Sequence, residues 1–459
     1  MKLMLKTLAL ASSISLLTAC AVGPDYQQPV VAEPEAFKYH QGWMPMPEQS
    51  WEATGLWWHI FDDPVLGDLI TIANDNNQSL AQAEANYRAA LAQRGISRSD
   101  YFPTVNAGVS GDRSGGNQSQ TSEQAQASVS VGWELDVWGR IRRQVEASNA
   151  DLEASAADLA AAKLSIQLSV TNSYLNLRAL EQLDKILQQT LTAYERSTQL
   201  TTNQYDAGIV ARADVIQAET QLQSLKSDVF DLQQQKAQEQ NTLAVLLGQA
   251  PSMFEFNQAG ALPAVPNVPA RLPSQLISRR PDVIAAERSV ASANANIGVA
   301  ISAWLPDISL SGSYGTQASS FSDLLDAPVR VWSVGPSLAQ LLFAGGRRGA
   351  ARDAAIASYE AQVAVYRQTV LESLAEVENA LATSFILAEK SVQQKKLVEL
   401  AEQNETLVTN RYKTGLVTFL EVATAQNSTL SARRELVNLT TEQLTASATL
   451  AAAIGGAWD

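Results

Sequence analysis

The chain has 459 residues, 46% of them hydrophobic and 17% charged, with 24 glycines and 16 prolines. That length can bury a sizeable core, and the composition is too poor in turn-formers for a collagen-like, disordered or all-turn β chain. One cysteine and two histidines exclude a Cys/His metal cluster and an internal disulfide network, and 33 basic against 47 acidic side chains argue against nucleic acid as a partner.

Lys2 and Lys6 precede an apolar run from Leu8 to Leu17. The run is shorter than the roughly 20 residues of a membrane-spanning helix and has the shape of a secretory signal peptide. Removal of residues 1–19 is expected to bring the net charge from −14 to about −16. The run ends in Leu17-Thr18-Ala19-Cys20, which resembles a bacterial lipobox. There the Cys20 thiol takes a diacylglyceryl group and becomes the acylated N-terminus, a strong anchor because each buried methylene contributes about 0.8 kcal/mol. The alternative is a plain signal peptide ending beside a buried cysteine. This covalent lipid is the only bound group expected, with no cofactor. Ala21 follows Cys20 where an Asp is absent, which by resemblance to lipoprotein sorting signals points to the outer membrane of a Gram-negative envelope. Beyond Cys20 no stretch offers some 18 apolar residues, so a membrane crossing must use strands.

Residues 20–60 read as a lipid-bearing extended segment whose His40, His59, Trp43, Trp51, Trp57 and Trp58 are packing or surface residues. Asp63-Pro64 starts a helix with apolar positions Leu66, Leu69, Ile70, Ala73, Leu80 and Ala81, running to about Ser97. Pro103 stops it. Val105, Ala107 and Val109, then Val129, Val131, Trp133 and Leu135, alternate with small or polar residues across a Gly/Ser/Gln-rich loop, Asp112 to Gln124, and predict a hairpin.

From Arg140 to about Tyr205 there is neither Gly nor Pro, and Val145, Leu152, Leu159 and Ile166 recur every seven residues. Leu180, Leu187 and Tyr194 resume the ladder after a break at Ser173. A coiled-coil helix of some 65 residues would reach about 98 Å. An ordinary amphipathic bundle would break such a run with turns. Asp206 to Arg212 reverses the chain, and a helix of about 35 residues returns from Ala213 to Leu247. An incoming and a returning half-length helix, end to end, would flank the long one in a rod.

The chain then repeats itself. Tyr205-Asp206-Ala207-Gly208-Ile209-Val210 recurs as Tyr412-Lys413-Thr414-Gly415-Leu416-Val417, and Gly139-Arg140 as Gly346-Arg347, both 207 residues on. Tyr101-Phe102-Pro103 matches Trp304-Leu305-Pro306 203 residues on, so four residues are inserted between the strands of the second half. There a helix near Pro281 precedes strands read from Ile308, Leu310, Gly312 and Tyr314, then from Val329, Val331, Ser333 and Gly335. The long helix returns with Ile356, Val363, Val370 and Val377. The expected organisation is a leader (1–19), an N-terminal segment (20–60), repeat 1 (61–248), an equatorial linker (249–272), repeat 2 (273–455) and a tail (456–459). The fold class is mainly α with a small β part.

Four strands cannot close a membrane barrel, whose smallest examples have about 8. Copies must therefore combine, and geometry leaves three or four open, three giving twelve strands. Leu56-Trp57-Trp58 with Phe61-Asp62-Asp63-Pro64, Leu272-Pro273-Ser274 through Arg279-Arg280-Pro281-Asp282-Val283, and Trp304-Leu305-Pro306-Asp307-Ile308-Ser309-Leu310 resemble outer-membrane efflux lipoproteins of the TolC-like outer membrane factor family, OprM/NodT branch. The resemblance implies a homotrimer with a twelve-stranded barrel in the outer membrane, a coiled-coil α-helical barrel through the periplasm and an equatorial belt. It implies a periplasmic adaptor and an inner-membrane pump of the RND type as partners, alongside outer-membrane lipid.

No nucleophile elbow, Walker loop or dinucleotide fingerprint is present, and no enzyme is expected. The resemblance assigns the aperture to the second-repeat turn, where Glu421 would form a ring of three carboxylates and Thr424 stands where the family often has a second acid. Tyr205, Gly208, Asp214, Tyr412 and Gly415 mark the hairpin tips expected to dock the adaptor, the glycines at positive φ and the tyrosines beneath them. The expected function is a passive exit duct for drugs or other small molecules. A type I protein-secretion channel and a structural envelope lipoprotein are the alternatives.

Overall fold

The computed structural model describes residues 21–31, 56–116, 119–256, 260–266, 280–326 and 328–453. The leader, Cys20, His40, Trp43, Trp51 and motif residues 272–279 lie outside them. Helices α1 (Pro64–Asn76) and α2 (Gln78–Ser99) lead to strands β1 (Thr104–Gly116) and β2 (Ser119–Glu134). Helices α3 (Arg140–Asp206) and α4 (Arg212–Leu246) complete the first repeat. The second repeat contains α5 (Pro281–Ser302), β3 (Asp307–Ala318), α6 (Phe321–Asp326), β4 (Val329–Ala339), α7 (Arg347–Lys413) and α8 (Phe419–Ala453).

The duplication holds at the residue level. Helices α3 and α7 have 67 residues each and α4 and α8 have 35 each, with every boundary displaced by 207. Helices α2 and α5 have 22 residues each, displaced by 203. The inserted residues fall between β3 and β4, where α6 lies. Among the described residues no helix is long and apolar enough to cross a membrane.

Three local expectations are corrected. The single helix from Asp63 is two, because Asn77 is extended (φ −67°, ψ 126°) and its side chain has other partners. Its Oδ1 accepts from the Ser79 and Leu80 N–H groups, capping α2, while its Nδ2 donates to the Leu246 carbonyl at 2.8 Å. The loop expected over 112–124 is mostly ladder: β1 and β2 pair from Thr104↔Gly132 to Gly116↔Ser119. In β4, register puts Val329, Val331, Ser333 and Gly335 opposite Gln317, Gly315, Ser313 and Ser311, on the polar face. The apolar face of β4 is Trp332, Val334, Pro336 and Leu338, one residue out of phase.

The chain divides into two compact units, and α3 and α7 each contribute to both. One unit holds residues 1–31, 85–157 and 285–368, including the antiparallel sheet in the order β1-β2-β3-β4. Its helices meet through small residues: Ala147, Ala150, Ala154, Ala291, Ala293 and Ala295 are buried. Residues 21–31 lie across these helices as a strap. The Val22 N–H donates to the Trp138 carbonyl, Arg143 donates to the Val22 carbonyl and to Asp25, and Asn294 donates to the Pro24 carbonyl. Tyr26 donates its hydroxyl hydrogen to buried Glu287, which Arg288 also grips. Burial, and then that carboxylate, push the Tyr26 pKa well above the usual tyrosine range.

The other unit holds residues 32–84, 158–284 and 369–459. Its main core joins Trp57, Phe61, Leu66 and Ile70 to Tyr174, Leu175 and Leu177 of α3, Leu243 of α4, Val377 and Leu381 of α7 and Leu444 of α8. At its centre Arg178 is 2% exposed. Its Nε donates to the Tyr174 hydroxyl at 3.0 Å and one terminal nitrogen donates to Glu181 at 2.9 Å. The guanidinium lies over the Tyr174 and Phe256 rings at 5.0 and 5.1 Å. Tyr174 passes its own hydrogen to Asp63, the residue capping α1, at 2.5 Å. Gly260 comes so close that a Cβ there would stand 2.5 Å from the guanidinium carbon. One buried cation thus joins α3, the entry to α1 and the segment linking the repeats.

Removing that cation strands a buried carboxylate, so Arg178→Met should cost about 3 kcal/mol. Thermal unfolding followed by helical circular dichroism in detergent should show the lower midpoint. Burial, then the bond to Asp63, raise the Tyr174 pKa to about 12. A raised folded-state pKa on an acid means that its stabilisation is complete below the usual value of 10.0 and is lost as pH climbs toward 12. The unfolding midpoint should fall across that window, and Tyr174→Phe should flatten this part of the profile.

Candidate functional site

Two places carry chemistry without covering partners: the faces and edges of the sheet, and the reversals that join the long helices. The cross-strand register Val105↔Val131↔Gly312↔Val334 defines one side of the sheet, with Trp133, Leu310 and Pro336 in one neighbouring row and Val129, Tyr314 and Trp332 in the other. Val105, Val109, Trp332, Val334 and Leu338 are each more than 60% exposed, so this apolar face has no cover within the chain. The opposite side carries Asn106, Ser110, Ser128, Ser130, Ser309, Ser311, Ser313, Ser333 and Ser337. Ser309 bonds Ser337 at 2.7 Å and Ser313 bonds Ser333 at 2.8 Å. The charged side chains of this polar face, Asp112, Glu134 and Asp307, are all acidic and stand toward the ends of the strands, with Glu134 paired to Arg140. The sheet is therefore built to stand between hydrocarbon and water.

The edges are open as well. β1 pairs only with β2, and β4 only with β3. Pro336, which lacks an N–H, sits in edge strand β4, where it interrupts the ladder least.

The two reversals share a backbone design. At the end of α3 the Gly208 N–H donates to the Tyr205 carbonyl and Ile209 to Gln204; at the end of α7 Gly415 donates to Tyr412 and Leu416 to Arg411. Gly208 and Gly415 adopt φ of 74° and 73°, the left-handed conformation that closes such a cap without a Cβ clash.

The side chains diverge. Tyr412 is 2% exposed, donates to the Thr201 hydroxyl at 3.0 Å and meets Phe419 edge-on at 5.7 Å, whereas Tyr205 is exposed. Burial raises the Tyr412 pKa above the ordinary tyrosine value. Asp214 and Glu421 are equivalent positions in the first turns of α4 and α8. Asp214 is half-buried and accepts from the Ala211 N–H at 3.3 Å. Glu421 is exposed, and among the described residues its carboxylate makes no hydrogen bond or ion pair. Thr424 is exposed and donates to the Leu420 carbonyl of its own helix.

Four contacts that sequence reading missed bind the second hairpin to the first. Thr201 accepts from Tyr412; Tyr194 donates to Asn427 at 3.1 Å; Gln221 donates to Asn427 at 3.3 Å; Arg434 pairs with Asp228 at 2.9 Å. Their only trace in sequence is polar residues on otherwise buried helical stripes. His59 is exposed beside Trp58, and among the described residues no group of His, Cys, Asp or Glu could hold a metal ion.

Comparison with known proteins agrees with these features. A profile of the family described as outer membrane efflux protein matches residues 69–249 and 272–456. The chain is 32% identical over 469 residues to the antibiotic efflux pump outer membrane protein ArpC of Pseudomonas putida, covering 98% of this chain and 95% of that one. It is 31% identical over 451 residues to the cation efflux system protein CusC of Escherichia coli, covering 96% of each. The solved outer-membrane channel OprN superposes with a TM-score of 0.90 at 33% identity over 96% of this chain and all of that one. With both repeats matched, the chain belongs to the outer membrane efflux protein family.

Proposed function

We propose that three copies of this chain form the exit duct of a tripartite efflux pump in the outer membrane, conducting small molecules passively from a periplasmic adaptor and an inner-membrane pump of the RND type to the exterior. The observation that carries this reading is the sheet, apolar on one side, polar and serine-rich on the other, with both edges unpaired. Three such sheets edge to edge make twelve strands, enough to enclose a lumen and leave no open edge in lipid. The helices continue the duct on the periplasmic side. The reading includes no catalytic step, and energy for transport comes from the pump.

The hairpin turns around Tyr205, Gly208, Asp214, Tyr412 and Gly415 dock the adaptor. Glu421, unpaired in one chain, forms a ring of three carboxylates around the periplasmic aperture. Mutual repulsion resists closure of such a ring and cations stabilise it. Thr424 adds no charge, so the aperture holds a single acidic ring. The relatives' cargoes, antibiotics for ArpC and cations for CusC, support small solutes as the substrate class.

Cys20 carries the lipid anchor. The strap supports this role, because Ala21 lies against Gly139 and Val22 bonds Trp138, just beyond the end of β2. Labelled palmitate should enter the mature protein, and Cys20→Ser should abolish the label.

In planar bilayers the purified protein should give stepwise conductance with a preference for cations, and Glu421→Gln should reduce that preference without abolishing conduction. Liposomes that stay impermeable to ions after insertion of the protein would overturn the reading.

A further inference from the structure

The foot of the sheet, where strands meet helices, carries an apolar cluster that the chain's own packing does not use. Leu341, Leu342 and Phe343 follow β4, and Leu342 and Phe343 are 87% and 86% exposed. Phe102, just before β1, is 70% exposed. The corresponding residues of the first repeat are Glu134, Leu135 and Asp136. There Asp136 caps α3 by accepting from the Ile141 and Arg142 N–H groups at 2.9 and 3.0 Å, and Glu134 pairs with Arg140. The second repeat has exchanged both acids for Leu341 and Phe343, which cannot cap α7, so local folding gives no reason for the apolar residues.

The sheet's geometry does. Register carries Thr104 of β1 through Gly132 and Ser311 to Gly335 of β4. β4 nevertheless runs four residues further, to Ala339, before its loop begins. The foot therefore descends across the sheet, as strand stagger in a tilted barrel requires. The outward edge of β4 descends toward the helices, and β1, the strand free to pair with it antiparallel in a second copy, rises from them. A copy placed there starts its β1 beside the end of this β4, with the residues preceding β1 beside the loop that follows β4.

We propose that Leu341, Leu342 and Phe343 of one copy clasp Phe102 of the next, sealing each seam of the trimer at the foot of the barrel. This rests on the three-copy reading of the duct and adds the side chains that close its joints. The occupant is a second copy because the cluster continues a sheet edge, where open N–H and C=O groups in lipid cost several kcal/mol each. Burying aromatic and Leu side chains beside that ladder adds the apolar core that stable interfaces carry.

The test is a cysteine scan in the full-length, membrane-inserted protein. Phe102→Cys is combined in turn with Leu341→Cys, Leu342→Cys and Phe343→Cys, with the single variants as controls. Mild oxidation should convert most of at least one double variant to disulfide-linked dimer and trimer on non-reducing denaturing gels, while single variants stay monomeric. A trimer by sedimentation in detergent with no disulfide in any pair overturns the clasp and leaves the duct standing. A monomer by sedimentation overturns both. As a second readout, Phe343→Asp should lower the temperature at which the trimer dissociates in mild detergent. Leu325→Asp, on exposed α6, should not, and equal effects of the two would also count against the clasp.

Discussion

A peptide group in hydrocarbon must find its hydrogen bond within protein, and this requirement governs the molecule. Four strands satisfy their inner ladders and leave the outer sides of β1 and β4 unpaired. No repacking within one chain removes those edges, because a sheet this narrow cannot curl onto itself around a lumen. The two faces sharpen the constraint. The serine-rich face is as unsuited to lipid as the Val/Trp/Leu face is to water, so orientation and closure are constrained together.

The helical part answers a different need, that of holding two nearly identical repeats in fixed relation while leaving some contacts able to change. Arg178 serves the first purpose, since it ties α3, the entry to α1 and the inter-repeat segment into one buried network. The hairpin ends serve the second. There a small apolar cluster around Ala218, Val408, Phe419 and Val422 is joined by hydroxyl and amide hydrogen bonds and by one half-exposed ion pair, Asp228–Arg434. Such contacts are individually weak and can exchange with water. Duplication supplied equal backbones at the two turns, and divergence of side chains assigned them different work. Asp214 is used up in capping its helix, while its counterpart Glu421 keeps a free charge.

The limits of the long helices were legible because Arg140 to Tyr205 holds no Gly or Pro and Gly208 and Gly415 punctuate the ends. The strands were harder. Val329 and Val331 look like the start of an apolar face, yet Trp332, Val334 and Leu338 supply the real one, and only pairing with β3 distinguishes them. The Gly, Ser and Gln residues of 112–124 resemble a loop, but the two arms of the hairpin pair with each other through backbone hydrogen bonds that need few apolar residues. Asn77 interrupts a sound helical period because its amide reaches Leu246, distant in sequence. Arg178, Asn427 and Gln221 gave no signal, since a polar residue on a buried stripe reveals nothing until its partner is known.

The same physics bears on selectivity. The polar face of the sheet is mostly serine, asparagine and glycine, which offer hydrogen bonds to any solute, and its few charges, Asp112, Glu134 and Asp307, are all acidic and stand toward the strand ends. In the duct proposed above, Glu421 at the second turn is a further exposed acid that symmetry would gather into a ring. Under that proposal, a bore lined mainly by neutral hydrogen-bonding groups suits a duct whose substrates are chosen by the pump that feeds it. It also explains how one fold can carry relatives named for antibiotics and for cations: the shared parts are the seal against lipid and the helical scaffold, and neither recognises cargo.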